Sequence, residues 1–280
     1  MSGPAYDADP AALLKALLST IEDRIIPLTA RGVSSGSKVF GAAILSKHDL
    51  APQTVATNDE AVSPLLHGEV NCIQQFYAQT SFPSPLPAGP TTTTTTPSPS
   101  TSTFTPTSMV VRRPSPRACV FLATHEPCSL CLSAIAWAGF DAVFHLFAHA
   151  DSRDVFGIPH DIAILRGVFR VPAVPTTTTT TTGEDGSGGG GGGGGVSGGV
   201  VDEDLDARPL YNRRNAFFTI RSLDELVCEV AGRDGDGDGD AAAAAAMWAG
   251  EVERVKALYG PLSEAYQSRK DVVASASFWK

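Results

Sequence analysis

Apolar residues recur at helical spacing over 11–26 (AALLKALLSTIEDRII), just ahead of Pro27, and this pattern predicts an amphipathic helix near the start of the chain. Two apolar runs follow at 38–46 and 53–57, and the polar residues between them predict an antiparallel hairpin. Helical spacing returns over 67–79. The first part of the chain is therefore predicted to form a helix, a hairpin and a second helix.

A second ordered block begins with the apolar run 118–124 (ACVFLAT), which is typical of a buried strand. A helix is predicted at 128–138, with Pro127 just before it and Gly139 just after it, and an apolar strand at 141–148. Later elements are predicted at 160–169 (helix), 215–220 (a strand or a docking segment), 222–231 (helix) and about 243–268 (helix). The alternation of apolar strands and helices predicts an α/β domain with helices packed on a sheet.

Two stretches of low complexity separate these elements. Residues 80–117 contain six consecutive threonines and several Ser-Pro and Thr-Pro steps, and 174–206 contains a second threonine run and a glycine run. Both have too few apolar residues to build a core, so we expect them to be disordered. The predicted organisation is one domain over 11–173 interrupted by 80–117, a linker over 174–206, and a mostly helical C-terminal extension over 207–280.

The net charge of −9 is concentrated in the low-complexity segments. Ten acidic residues lie within 183–206 and 234–240, which contain no lysine or arginine, so the rest of the chain has a formal charge of +1. A nearly neutral body lacks the overall basic character typical of nucleic-acid-binding proteins, although a local basic patch would be hidden in this sum.

The chain has no apolar stretch of the about 20 residues that a membrane-spanning helix needs. Its start shows no cationic region followed by an apolar run, so we predict no secretory signal. The number of cysteines is five, and an odd number without a signal argues against a disulfide framework. We therefore expect a cytoplasmic protein, with the nucleus as the alternative location.

Two short motifs contain residues suited to metal chemistry: His67-Gly68-Glu69 and Pro127-Cys128-Ser129-Leu130-Cys131. Zinc prefers imidazole and thiolate ligands, and a catalytic zinc site keeps one position for water. Cys128 and Cys131 lie three residues apart at a predicted helix start, which places both on one face and stabilises thiolate. We therefore predict that His67, Cys128 and Cys131 bind Zn²⁺. A redox pair is the alternative for the two cysteines, but no thioredoxin-like pattern accompanies them.

Glu69 lies two residues from the predicted ligand His67. At this spacing its carboxylate reaches the metal site without being needed as a ligand. A carboxylate in this place can act first as a general base and then as a general acid. Glu69 is the predicted catalytic residue.

The order H-x-E followed by P-C-x-x-C resembles the signature of the cytidine/deoxycytidylate deaminase superfamily of zinc enzymes. The segment THEPCSLCLSAIAWAGFDAVF resembles the branch that contains guanine deaminases and tRNA adenosine deaminases. In that branch Glu-Pro-Cys is followed by a small residue, then Ile, then often Trp, and Ala134, Ile135 and Trp137 fit this pattern. The resemblance covers about 11–79 and 117–170, and it departs at Gly68, where alanine is more usual.

The resemblance implies a three-layer α/β/α cytidine deaminase-like fold with a five-stranded mixed sheet, to which the disordered insertions and C-terminal helices are added. It makes 11–173 the deaminase domain. Two residues are predicted to contact substrate. Asn58 lies in the loop before the metal-binding histidine, with a turn residue as its alternative role, and Trp137 is a packing residue that could also form a pocket wall. Further candidates follow the fourth strand: Asp151, Asp154 and Phe156.

The function implied is zinc-dependent hydrolytic deamination of a nucleobase, nucleoside or nucleotide amino group, with release of ammonia and a weak preference for a purine. The predicted partners are a small-molecule nucleobase or nucleoside and a second copy in a homodimer, with no membrane. Two alternatives stay open. A tRNA adenosine deaminase would need basic surface, for which the clustered candidates are Arg112, Arg113, Arg117, Arg213 and Arg214. A non-catalytic zinc-binding subunit would typically lack the glutamate of H-x-E, whereas Glu69 is present.

Overall fold

A five-stranded mixed sheet forms the centre of the molecule. The computed structural model describes residues 9–78, 114–169, 210–233 and 240–270. The strands are β1 (Gly41–Ser46), β2 (Pro52–Thr57), β3 (Cys119–His125), β4 (Ala142–Phe147) and β5 (Thr219–Ser222). They lie in the order β2-β1-β3-β4-β5; β1 is antiparallel to β2 and β3, whereas β3, β4 and β5 are parallel. This confirms the predicted five-stranded mixed sheet. Of the low-complexity stretch 80–117, residues 80–113 lie outside the described residues. The stretch 174–206 lies wholly outside them.

The helices are α1 (Pro10–Thr20), α2 (Ile26–Ser34), α3 (Gly68–Ala78), α4 (Ser129–Ala138), α5 (His149–Asp154), α6 (His160–Val168), α7 (Leu223–Arg233), α8 (Asp240–Ala257) and α9 (Gly260–Arg269). A π-helical turn at Ile21–Ile25 joins α1 to α2, so the helix predicted to end at Pro27 continues past it. The Ile26 N–H donates to the Ile21 carbonyl, and this wider turn makes room for the proline ring. Within the described part of the chain, no helix has the length and apolar character needed to cross a membrane.

Two apolar cores, one on each face of the sheet, make the fold three-layered. Side chains alternate along β1: Ala42 and Ile44 belong to one core, and Ala43 and Leu45 to the other. The first core also contains residues of α3 and α4, whereas the second contains residues of α1, α7 and α8. The predicted α/β/α arrangement is confirmed, and α3 and α4, which begin at the two motifs, lie together on one face.

The region predicted as a C-terminal extension completes the sheet. Strand β5 pairs in parallel with β4, from Ala142 opposite Thr219 to His145 opposite Ser222. Leu226 and Val230 of α7 are buried in the same core as α1. The predicted division between a domain over 11–173 and an extension over 207–280 is therefore corrected, because the sheet joins both regions. Strand β5 itself is too short to show a sequence periodicity that would reveal this pairing.

Close backbone packing explains the glycine of the H-G-E motif. A Cβ atom on Gly68 would lie 3.0 Å from the Gly41 Cα and 3.1 Å from the Phe40 carbonyl oxygen. Alanine, the more usual residue at this position, would push the start of α3 away from β1. Gly68 therefore lets His67, a predicted metal ligand, approach the end of the sheet closely.

We expect Gly68→Ala to lower the free energy of unfolding by about 1–3 kcal/mol, the usual cost of overpacking. The matched control is Gly250→Ala in α8, where an added Cβ would meet no atom within 4 Å. Because alanine is the better helix former, this control should stabilise the protein by up to about 1 kcal/mol. Chemical denaturation of both variants measures the difference, and equal effects would contradict the packing explanation.

Candidate metal centre

The two motifs meet because each precedes a helix that packs on the same face of the sheet. His67 comes directly before α3, and Cys128 is the N-cap residue of α4 with an extended backbone. A hydrogen bond joins the start of β1 to the end of β3 at this end of the sheet. The Gly41 N–H donates to the Thr124 hydroxyl oxygen at 3.0 Å. Two helix N-termini thus converge at one end of the sheet, where their partial positive charge favours thiolate.

Three ligand atoms form a nearly equilateral triangle. The His67 Nδ1 lies 3.4 Å from the Cys128 Sγ and 3.6 Å from the Cys131 Sγ, and the two sulfurs are 3.6 Å apart. Tetrahedral zinc, with bonds of about 2.3 Å to sulfur and 2.0–2.1 Å to nitrogen, requires separations of about 3.8 Å between sulfurs and about 3.6 Å between nitrogen and sulfur. The triangle therefore fits zinc and leaves a fourth position open. Among the described residues, no other group of His, Cys, Asp or Glu is arranged in this way.

The charges within the triangle also favour a cation. The contacts with the Cys131 Sγ and with the His67 imidazole hold the pKa of the Cys128 thiol well below its usual range. Burial alone would lower the pKa of His67, but the hydrogen bond and charge of Cys128 raise it to about 9. The Cys128 thiolate thus creates a negative environment that a metal cation can neutralise.

Glu69 is buried beside the triangle without being part of it. Only 5% of its surface is exposed, and its Oε2 accepts a hydrogen bond from the Cys131 Sγ at 3.3 Å. Burial, together with the charge of Cys128, raises the pKa of the Glu69 carboxyl to about 7. A carboxyl with a pKa near neutrality can both take and give a proton, which suits the predicted role in acid–base catalysis.

A cavity of about 640 Å³ opens beside the metal ligands, with His67 and Cys128 in its wall. This volume is in the range of small-molecule sites. Its other lining residues are mostly apolar, with a few polar groups: Phe40, Leu65, Ile158, Ile164, Lys38, His160 and Asp161. The cavity therefore offers an apolar slot beside His67 and Cys128, two of the three candidate metal ligands.

Asp161, in the first turn of α6, is a site residue that the sequence did not reveal. It is half-buried in the cavity wall, where burial and the nearby Cys128 charge raise the pKa of its carboxyl to about 7. The sequence candidates after β4 lie elsewhere: Asp151 accepts from the Ala148 N–H, Asp154 pairs with Arg153, and Phe156 is buried in the core. No motif spacing marks Asp161, because the fold alone turns α6 towards α4.

Asn58 lies close to the start of α3. Its Oδ1 accepts the Gly68 N–H at 2.5 Å, so the side chain holds the first turn of the helix. Its Nδ2 is buried and has no hydrogen-bond partner among the described residues. A free buried donor beside the metal ligands is compatible with a substrate contact, which stays a prediction.

Trp137 lies on the outer side of α4, away from the cavity. Its side chain is 91% exposed, and it is absent from the residues that line the cavity. The predicted pocket-wall role of Trp137 therefore gains no support. Helix α4 is apolar around its circumference, so the sequence could not show which of its faces meets solvent.

One family model matches the region that contains both motifs. Residues 24–147 match the family model of the cytidine and deoxycytidylate deaminase zinc-binding region. Among solved structures, a guanine deaminase from Bacillus subtilis is 23% identical, with a TM-score of 0.35, and the match covers 52% of this chain and 73% of that chain. A guanine deaminase from Nitrosomonas europaea is 15% identical, with a TM-score of 0.33 and coverage of 54% and 65%. The comparison with curated proteins gave no match.

Proposed function

We propose that this chain, whose residues 24–147 match the family model of the cytidine and deoxycytidylate deaminase zinc-binding region, is a zinc-dependent hydrolase of that superfamily that deaminates a nucleobase or nucleoside. The observation that carries the proposal is the ligand triangle with the Glu69 carboxyl beside it and a cavity in front of it. A zinc ion, when bound, would supply the Lewis acidity that makes hydrolysis feasible near neutral pH. The proposed metal ligands are His67, Cys128 and Cys131.

Glu69 moves the protons of the proposed reaction. Its carboxylate takes a proton from the attacking water and delivers it to the ring nitrogen next to the amino-bearing carbon. The water oxygen bonds to the amino-bearing carbon as a hydroxyl. Glu69 then takes the proton of this hydroxyl and delivers it to the amino group, so the C–N bond breaks and ammonia leaves as the ring carbonyl forms. The burial of Glu69 raises its pKa to about 7, which suits a group that alternates between base and acid.

Asp161 and the apolar cavity walls are proposed to select the base. A carboxylate accepts hydrogen bonds from N–H groups. Among the common amino-bearing bases, guanine carries a ring N–H directly beside its amino-bearing carbon, whereas adenine and cytosine carry an acceptor nitrogen there. Asp161, in the same wall as His67 and Cys128, therefore favours a guanine-type base.

Ammonia release from zinc-loaded protein tests the function. The panel contains guanine, adenine and cytosine with their nucleosides and nucleotides, and a short RNA hairpin. We expect release from a base or nucleoside, with the guanine compounds most active. Silence across the small molecules, with zinc bound, would overturn the proposal. Release from RNA alone would then support the tRNA adenosine deaminase alternative, and no release at all would support a non-catalytic subunit.

The structure offers little support for an RNA surface. The Arg213 guanidinium is committed to the Glu126 carboxylate, with Nη2 and Oε1 2.7 Å apart, and Arg117 lies 4.0 Å from Asp141. Arg112 and Arg113 lie outside the described residues. We therefore favour a small-molecule substrate. The homodimer and the cytoplasmic location stay predictions.

We expect Asp161→Asn to lower kcat/KM for the preferred base by about 10- to 100-fold, the equivalent of losing one hydrogen bond to a charged group, about 1.5–3 kcal/mol. The matched control is Asp154→Asn, an exposed carboxylate on α5 paired with Arg153. Steady-state kinetics on guanine and adenine measure the change for each. Equal effects of the two substitutions, or an unchanged preference between the bases, would contradict the assignment of Asp161.

A further inference from the structure

The Glu126 carboxylate, two residues before the ligand Cys128, is held by four hydrogen bonds. The Tyr211 hydroxyl donates to Oε1 at 2.7 Å, and Arg213 donates to the same oxygen from Nη2 at 2.7 Å and Nε at 3.1 Å. The backbone N–H of His149 donates to Oε2 at 3.0 Å. Because Glu126 is buried, these donors replace the water that its charge would otherwise need.

Two of these donor residues come from a distant part of the chain, the segment that leads into β5. This segment is itself fixed: the Ile220 N–H donates to the Arg213 carbonyl at 2.9 Å, and the Asn215 side chain accepts from the Phe217 N–H at 2.8 Å. A turn held by its own hydrogen bonds presents the Tyr211 hydroxyl and the Arg213 guanidinium as a rigid pair. We call Tyr211 and Arg213 the clamp.

The covalent path from Glu126 to the metal ligand is short and stiff. Pro127 alone separates Glu126 from Cys128, and its ring fixes one of the backbone torsions between them. The Glu126 N–H also donates to the Phe147 carbonyl at 2.8 Å, so β4 holds the backbone of this residue while the clamp and the His149 N–H hold its carboxylate. A displacement of the Glu126 side chain would therefore be passed to the Cys128 Sγ.

We propose that Tyr211 and Arg213 are positioning residues of the metal site, which hold Cys128 in the ligand triangle by clamping Glu126. The inference rests on the proposed zinc site and extends it to a part of the chain beyond residues 24–147. Because the clamp lies on the segment that leads into β5, it links the pairing of β5 with β4 to the geometry of the proposed metal ligands. Loss of a residue that orients a metal ligand from outside the coordination sphere typically lowers metal affinity by about 10- to 100-fold.

The test measures metal affinity, without substrate. Full-length Arg213→Gln and Tyr211→Phe are compared with the unaltered protein by zinc competition against a chromophoric chelator and by the visible spectrum of the Co²⁺-substituted site. We expect Arg213→Gln to bind zinc about 10- to 100-fold more weakly and to show a changed Co²⁺ spectrum. Arg213→Lys should restore part of the affinity, because it keeps the charge but loses the planar fork.

The matched control is Arg214→Gln, an exposed arginine next to the clamp, and it should leave zinc affinity unchanged. If Arg213→Gln does not fold, Tyr211→Phe decides, because it removes one hydroxyl alone; we expect a several-fold loss of zinc affinity. Affinity and Co²⁺ spectrum equal to those of the unaltered protein, in folded clamp variants, would overturn the inference and leave the proposed deaminase intact. Failure of the unaltered protein to bind zinc would overturn both.

Discussion

Glu69→Gln is expected to lower kcat for deamination by about 10²- to 10⁴-fold, while the protein still binds one zinc ion. The amide matches the carboxyl in size but cannot take a proton from water or deliver one to the ring. Glu69 is buried beside the ligand triangle, and its Oε2 contacts the Cys131 Sγ at 3.3 Å, so its carboxyl lies directly against the proposed metal ligands. Ammonia release under saturating substrate measures kcat, and metal analysis measures zinc content.

Glu264→Gln, an exposed carboxyl on α9, is the matched control and should leave kcat unchanged. Two results would argue against the role given to Glu69. A Glu69→Gln variant with kcat within about ten-fold of the unaltered protein, below the usual range for general acid–base catalysis, would show that another group moves the protons. Loss of zinc together with activity would show that Glu69 supports the metal site instead.

Cys131→Ser is expected to abolish stoichiometric zinc binding, and with it the deaminase activity. Cys131 is fully buried, and its Sγ lies within 3.6 Å of both other ligand atoms. Serine occupies nearly the same space but replaces a soft thiolate with a hydroxyl that zinc binds poorly. We expect zinc affinity to fall by more than about 100-fold. That is the upper end of the effect of residues that only orient metal ligands. Zinc retained after dialysis measures it.

Cys228→Ser on α7 is the control, because this cysteine is exposed and is not part of the triangle. It should keep both zinc and activity. Chelation of the unaltered protein should remove activity, and added zinc should restore it. A Cys131→Ser variant that binds zinc as tightly as the unaltered protein would refute the ligand set.

Continuous apolar runs explain why most of the sheet could be predicted. The apolar runs in β1, β3 and β4, the helical spacing of α1 and α3, and the proline and glycine that flank α4 are local patterns, and the structure agrees with them. Strand β5 is short, and its assignment remained open between a strand and a docking segment. Its place beside β4 depends on parallel pairing across a long separation in the chain, which no local pattern encodes.

The sequence by itself determined the chemistry of the centre. By residue type and spacing, an imidazole, two thiols three residues apart and a carboxyl two residues from the histidine predict a set of zinc ligands with a proton-transfer group, before any fold is known. These groups lie on short segments next to helix starts, so local structure suffices to orient each half. The resemblance to the deaminases followed from the same few residues.

Only the tertiary structure decided what surrounds that centre. Asp161 enters the cavity because α6 packs against α4, Trp137 faces solvent because the other side of α4 meets the sheet, and Tyr211 and Arg213 reach Glu126 because β5 closes the sheet. The contacts of Asp161, Tyr211 and Arg213 join segments far apart in the chain. The exposure of Trp137 depends on which face of α4 is buried. Metal ligands can be read from type and spacing, whereas substrate contacts and supporting residues depend on packing.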